Sequence, residues 1–81
     1  MEVKIDKKAL KDLSKLDKKV AKEILNKIKL LKHFPKCANT KKLKNFYPPY
    51  RLRVGSYRVL FDIEEDILTI YRIKHRKESY K

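Results

Sequence analysis

Hydrophobic residues change their period along this chain. Val3 and Ile5 alternate with Glu2, Lys4 and Asp6, which predicts a short strand with one buried face. The spacing then becomes helical through Ala9, Leu10, Leu13 and Leu16, and Asp6 stands where a carboxylate caps the first turn. Asp17 reads as a second N-cap. After it, Val20, Ala21, Ile24, Leu25, Ile28 and Leu31 form an apolar stripe with lysines on the opposite face. The helix ends at Phe34-Pro35, because a residue before proline avoids the helical region.

The stretch PKCANTKKLKNFYPP is loop-like, with a short strand placed at Lys42 to Asn45. The period then falls to two. Leu52 and Val54 share one face, Arg51 and Arg53 the other, and Gly55-Ser56 makes a turn. Tyr57, Val59, Phe61 and Ile63 alternate with Arg58, Leu60 and Asp62. Glu64-Glu65-Asp66 turns the chain again, and Ile67 to Ile73 forms the last strand. The expected fold is a single α+β domain over residues 1–81. An N-terminal strand leads to a two-helix hairpin and then an antiparallel meander, with the helices packed on a small antiparallel sheet.

Charge narrows the function. Twenty-three Lys and Arg face ten Asp and Glu, a net charge of +13. From Ile24 to Phe61 there is no acid, while Lys27, Lys29, Lys32, Lys36, Lys41, Lys42, Lys44, Arg51, Arg53 and Arg58 all fall in that window. A generic surface intersperses the two signs. This one repels itself unless a polyanion relieves it, and the window reads as a phosphate-binding surface. Cys37 is the lone cysteine, so no intramolecular disulfide forms, as expected in a reducing cytoplasm. MEVKIDKKAL has no apolar core of a secretory signal, and no apolar run approaches the ~18 residues of a membrane span. No cluster of histidines and acids points to a metal, and no cofactor is expected.

PYRLRVGSYRVLF followed by ILTIYRIKHRKESY resembles the RelE branch of the RelE/ParE toxin superfamily. The pieces that carry the likeness are Arg51-Leu52-Arg53, Gly55-Ser56-Tyr57-Arg58, His75-Arg76 and Tyr80, in that order. The strand and two helices before them also match, so the resemblance covers essentially the whole chain. It implies the toxin of a type II toxin–antitoxin pair, an endoribonuclease that cuts messenger RNA in the ribosomal A site. It also implies two partners: the ribosome with its message, and a RelB-like acidic antitoxin that wraps the basic surface.

Such cleavage needs no metal in principle. The ribose 2′-OH attacks its own 3′-phosphate and leaves a 2′,3′-cyclic phosphate and a 5′-OH. A base, charge stabilisation of the phosphorane and protonation of the leaving oxygen lower the barrier. By resemblance, Arg58 and Arg76 hold the scissile phosphate, and Tyr80 is the general base or stacks on a codon base. His75 is the rival base. Relatives carry lysines where this chain has Arg51 and Arg53. Arginine stays protonated, so these two bind phosphate and do not transfer protons. Lys42 and Lys44 are expected as further backbone contacts, and His33, near a helix end, as structural. Two other readings share the fold or the charge: a ParE-like gyrase inhibitor and a non-catalytic basic RNA-binding domain.

Overall fold

The computed structural model describes residues 1–78. Its elements are β1 (Glu2–Ile5), α1 (Lys7–Ser14), α2 (Lys18–Lys29), a 3₁₀ turn (Leu30–His33), β2 (Thr40–Lys42), β3 (Tyr50–Val54), β4 (Tyr57–Glu64) and β5 (Ile67–His75). Both expected caps form. The Asp6 carboxylate accepts the Lys8 N–H, and the Asp17 carboxylate accepts the Lys19 N–H at 2.9 Å. Each satisfies a donor that the first helical turn leaves unpaired.

The five strands form one sheet in the order β1-β5-β4-β3-β2. β2 to β5 make the expected antiparallel meander, whereas β1 pairs parallel with β5, Val3 opposite Leu68 and Ile5 opposite Ile70. The helices intervene between β1 and the meander, and that crossover lets β1 join β5 in parallel. Both hairpin turns hold two residues. Gly55 takes a φ of +58° in the first, and Glu65 and Asp66 take +50° and +64° in the second. A positive φ at the first loop position, as at Gly55, or at both, as at Glu65 and Asp66, gives a backbone twist that matches the flanking strands.

One face of the sheet is covered by the helices. Ala9, Leu13, Ile24, Ile28 and Leu31 pack there on Leu52, Val54, Val59, Phe61, Leu68, Ile70 and Ile73. Phe61 is fully buried, and Phe34 and Tyr50 contact its ring with centroids 5.6 and 5.5 Å away. Alternation then sends Arg51, Arg53, Arg58, Leu60, Arg72 and Lys74 to the uncovered face.

The strand placed at Lys42 to Asn45 needs correction, since β2 is Thr40–Lys42. Asn45 adopts φ +55°, which takes it out of extended geometry. The Leu43 N–H closes a loop on the Pro49 carbonyl, and prolines 48 and 49 have no N–H to give a ladder.

Candidate nucleic-acid interface

The register of the meander assembles the cations in two rows. Lys41 stands opposite Arg51, Arg51 opposite Leu60, and Leu60 opposite Arg72. In the neighbouring row Arg53 stands opposite Arg58, and Arg58 opposite Lys74. Side chains directly opposite in an antiparallel pair have Cβ atoms ~4.5–5.5 Å apart. Residues 51, 53 and 58, on the two strands of one hairpin, therefore share one patch. Leu60 is buried at 3% exposure although it faces away from the helices, with Arg51 and Arg72 on either side of it. Their aliphatic stems can cover it while the charged heads reach outward.

The patch has cations to spare. Among the described residues the ion pairs are Met1 with Asp66, Lys4 with Glu2, and Arg72 with Asp12, so Arg51, Arg53, Arg58 and Lys74 have no carboxylate partner. The Nε atoms of Arg51 and Arg58 are buried and make no hydrogen bond. Leaving such a donor unsatisfied costs about 1–3 kcal/mol, more when it is charged. Arg58 is steered by its Nη1, which donates to the Tyr57 carbonyl at 3.2 Å and more weakly to that of Gly55 at 3.4 Å. An anion lying over the hairpin would meet both guanidiniums, whose planar forks match phosphate oxygens.

Arg72 has another role. Its Nε and Nη2 donate to the two Asp12 oxygens at 2.8 and 3.1 Å, and Asp12 also accepts the Ile73 N–H at 2.9 Å. β1 ends its pairing at Ile70, so α1 caps the open edge of β5 through this carboxylate. Burial alone raises the Asp12 pKa. The Arg72 and Ile73 hydrogen bonds and the charges of Arg72 and Lys74 outweigh it and hold the carboxyl below its ordinary value. The Asp12 hydrogen bond and charge raise Arg72, against its own desolvation. Hydrophobic spacing gave no sign of this pair, because its partners lie 60 residues apart.

The remaining expected residues separate. The Arg76 N–H donates to the Ser56 carbonyl at 2.7 Å, which ties the end of β5 to the arginine hairpin. His75 sits on the helix side, opposite Tyr57, with ring centroids 5.4 Å apart and edge-on. Lys42 pairs with Tyr50 and places its Nζ 5.9 Å from that ring, again on the helix side. Lys44 is exposed on the loop. Tyr80 lies outside the described residues. Lys41 joins the cationic row in place of Lys42, because β2 begins earlier than the sequence suggested.

Beyond Leu60 the same face changes sign. Asp62, Glu64 and Glu65 line a depression with Thr69 and Tyr71. The Tyr47 phenol is pushed up, first by desolvation, then by Tyr71 beside it and by the Asp62 and Glu64 charges. It thereby holds its proton more tightly than a free phenol. Among the described residues no three histidines, cysteines or acids gather as metal ligands, and no helix is long and apolar enough to cross a membrane.

Comparison with known proteins places this geometry. The family model for the ParE toxin of the type II toxin–antitoxin system parDE matches residues 3–80. Toxin RelE3 of Methanocaldococcus jannaschii is 33% identical over 90 residues, covering 99% of this chain and 96% of that protein. The crystal structure of a RelB–RelE complex from Methanococcus jannaschii superposes with a TM-score of 0.76 at 28% identity, covering 95% of this chain and 94% of the matched one. An archaeal RelE–RelB complex from Pyrococcus horikoshii gives 0.76 at 27% identity, covering 95% and 96%. The chain belongs to the RelE/ParE superfamily of type II toxin–antitoxin toxins. Within that superfamily it is a RelE-type toxin.

Proposed function

We propose that the protein is an endoribonuclease that cuts messenger RNA in the ribosomal A site and so stops translation. The observation that carries this reading is the row Arg53–Arg58–Lys74 beside Arg51, with two buried guanidinium nitrogens that have no partner among the described residues. A phosphodiester on this face supplies the anionic partner that no carboxylate gives these arginines among the described residues. The 2′-OH loses its proton to a base and its oxygen bonds to phosphorus. The P–O5′ bond breaks, and the 5′ oxygen takes up a proton. Arg58 and Arg51 bind the phosphorane oxygens where negative charge grows, Arg53 and Lys74 hold the adjoining backbone, and Arg76 approaches from the end of β5.

The proton acceptor is His75 or Tyr80, the latter outside the described residues. The His75 Nδ1 accepts the Lys77 N–H at 3.3 Å, which orients the ring. Among the described residues the cationic face holds no matched acid–base pair, so the ribosome supplies alignment of the message for in-line attack.

The partner is a RelB-like acidic antitoxin. The net charge of +13 and the RelB–RelE complexes from the two archaea support it. Such a chain neutralises the patch and keeps the toxin from RNA. Primer extension on a message in a translating extract tests the nuclease. Wild type should give A-site cuts ending in a cyclic phosphate, and Arg58→Ala should give none while the fold stays intact. Intact message with wild type would end this reading. The match to the ParE family model favours a second one, a gyrase-directed toxin, which a supercoiling assay examines directly.

A further inference from the structure

Around the open edge of β5 from the arginine rows lies a groove of about 400 Å³. Its walls include Tyr57, His75, Lys15, Lys74 and Glu78. That volume is within the usual ~300–1,000 Å³ of small-molecule sites. Tyr57 and His75 are a cross-strand pair on the helix side, and each precedes or follows a member of the cationic row: Tyr57 adjoins Arg58, and His75 adjoins Lys74. Lys74 belongs to both places, since it stands opposite Arg58 and also lines the groove. Cations on one face and an aromatic pair on the other thus meet at one strand edge.

We propose that this groove is a base-binding subsite. It takes one unstacked nucleobase of the RNA strand whose phosphates lie on Arg58 and Lys74, a specificity that rests on the nuclease reading given above. Tyr57 supplies a flat face for stacking. Such contacts suit single-stranded RNA, whose bases can be splayed from their neighbours. The edge-on His75 holds the tyrosine ring at 83° and is itself fixed, because its Nδ1 accepts the Lys77 N–H and its carbonyl accepts the Glu78 N–H at 2.8 Å. The imidazole Nε2–H is then a donor. Lys15 adds a second donor and Glu78 an acceptor, enough to discriminate base edges. Asp12 also lines the groove but is taken up by Arg72 and Ile73.

The test measures binding apart from cleavage. Short RNAs with a 2′-O-methyl group cannot be cut and report affinity alone. Each is compared with the same strand lacking one base, scanned along the sequence. Wild type should lose roughly tenfold in affinity when the base at one position is missing, the size of a base–aromatic stack. Tyr57→Leu should erase that difference and Tyr57→Phe should keep it, with circular dichroism confirming both folds. A 2-aminopurine at the sensitive position should be quenched by wild type and by Tyr57→Phe, and not by Tyr57→Leu. Arg58→Ala should weaken intact and abasic strands alike. Equal binding of intact and abasic strands at every position by wild type overturns the subsite and leaves the nuclease reading standing. Failure to bind either kind of strand also overturns the subsite, while the nuclease reading is decided separately by the A-site cuts in the translating extract.

Discussion

Arg53 and Arg58 stand directly opposite each other across the first hairpin, two guanidiniums in one cross-strand pair. Like charges so placed destabilise a sheet by a few tenths of a kcal/mol up to about 1 kcal/mol. The fold therefore carries strain at the site where RNA is proposed to bind. Arg53 is exposed, so Arg53→Thr should disturb the core little and remove the repulsion. The variant should melt a few degrees higher at low salt, at ~4–8 °C per kcal/mol for a domain of this size. The gain should shrink as salt screens the wild-type pair, while RNA affinity falls. Differential scanning calorimetry at two salt concentrations measures the first effect. A lower melting temperature for Arg53→Thr would show that the pair is not repulsive.

Arginine and lysine separate binding from catalysis at position 58. The Arg58 guanidinium, oriented by its Nη1 on the Tyr57 carbonyl, is a planar fork that a lysine cannot reproduce. Arg58→Lys keeps the charge, so the logarithm of RNA affinity against that of salt should keep its slope. Arg58→Ala should flatten it by about 0.7, the contribution of one single-strand phosphate contact. Cleavage in a translating extract should fall in both, by roughly ten- to thousandfold if the guanidinium stabilises the phosphorane as a single oxyanion donor does. Full activity in Arg58→Lys would reduce the residue to a point charge.

The helices, both caps, both turns and the three long strands were legible in the sequence. Each is written locally: a period of 3.6 or two, an Asp before a helix, a Gly or acidic turn between apolar runs. The parallel pairing of β1 was not, because nothing local says which edge a first strand joins. Nor was the Asp12–Arg72 bridge, a contact between distant residues that only the packing of α1 on β5 creates. The convergence of residues 51, 53 and 58 was legible from their alternation with Leu52, Val54 and Val59. The same rule puts His75 beside Tyr57 and away from Arg58, which the motif order alone had obscured.

The Asp12 bridge gives the fold an acid-sensitive component. Its carboxyl is held below the ordinary 3.8. The added stability is therefore complete above about pH 4 and is lost as pH falls through the lower folded-state value. Arg72 is 38% exposed, so solvent screens part of the attraction. Asp12→Asn should lower the melting temperature at pH 7 and narrow the gap to wild type at pH 3. Asp12→Ala, which also strands the Ile73 N–H, should cost about 1–3 kcal/mol. Parallel melting curves for wild type and Asp12→Asn from pH 7 to 3 would contradict this account.

Two adjacent lysines should behave differently for a reason of register alone. A strand at Lys42 to Asn45 singles out Lys42 and Lys44 as RNA contacts. With β2 at Thr40–Lys42, Lys41 falls opposite Arg51 on the cationic face, and Lys42 falls opposite Tyr50 on the other. Lys41→Ala should weaken RNA binding and flatten its salt slope by about 0.7. Lys42→Ala should leave that slope nearly unchanged and instead lose the contact with the Tyr50 ring, about 0.5–1 kcal/mol at an exposed site. Affinity titrations at several salt concentrations, with a melting curve for each variant, separate the two. If Lys42→Ala rather than Lys41→Ala flattened the slope, β2 would be out of register by one residue. The row Lys41–Arg51–Leu60–Arg72 would then lose its first member.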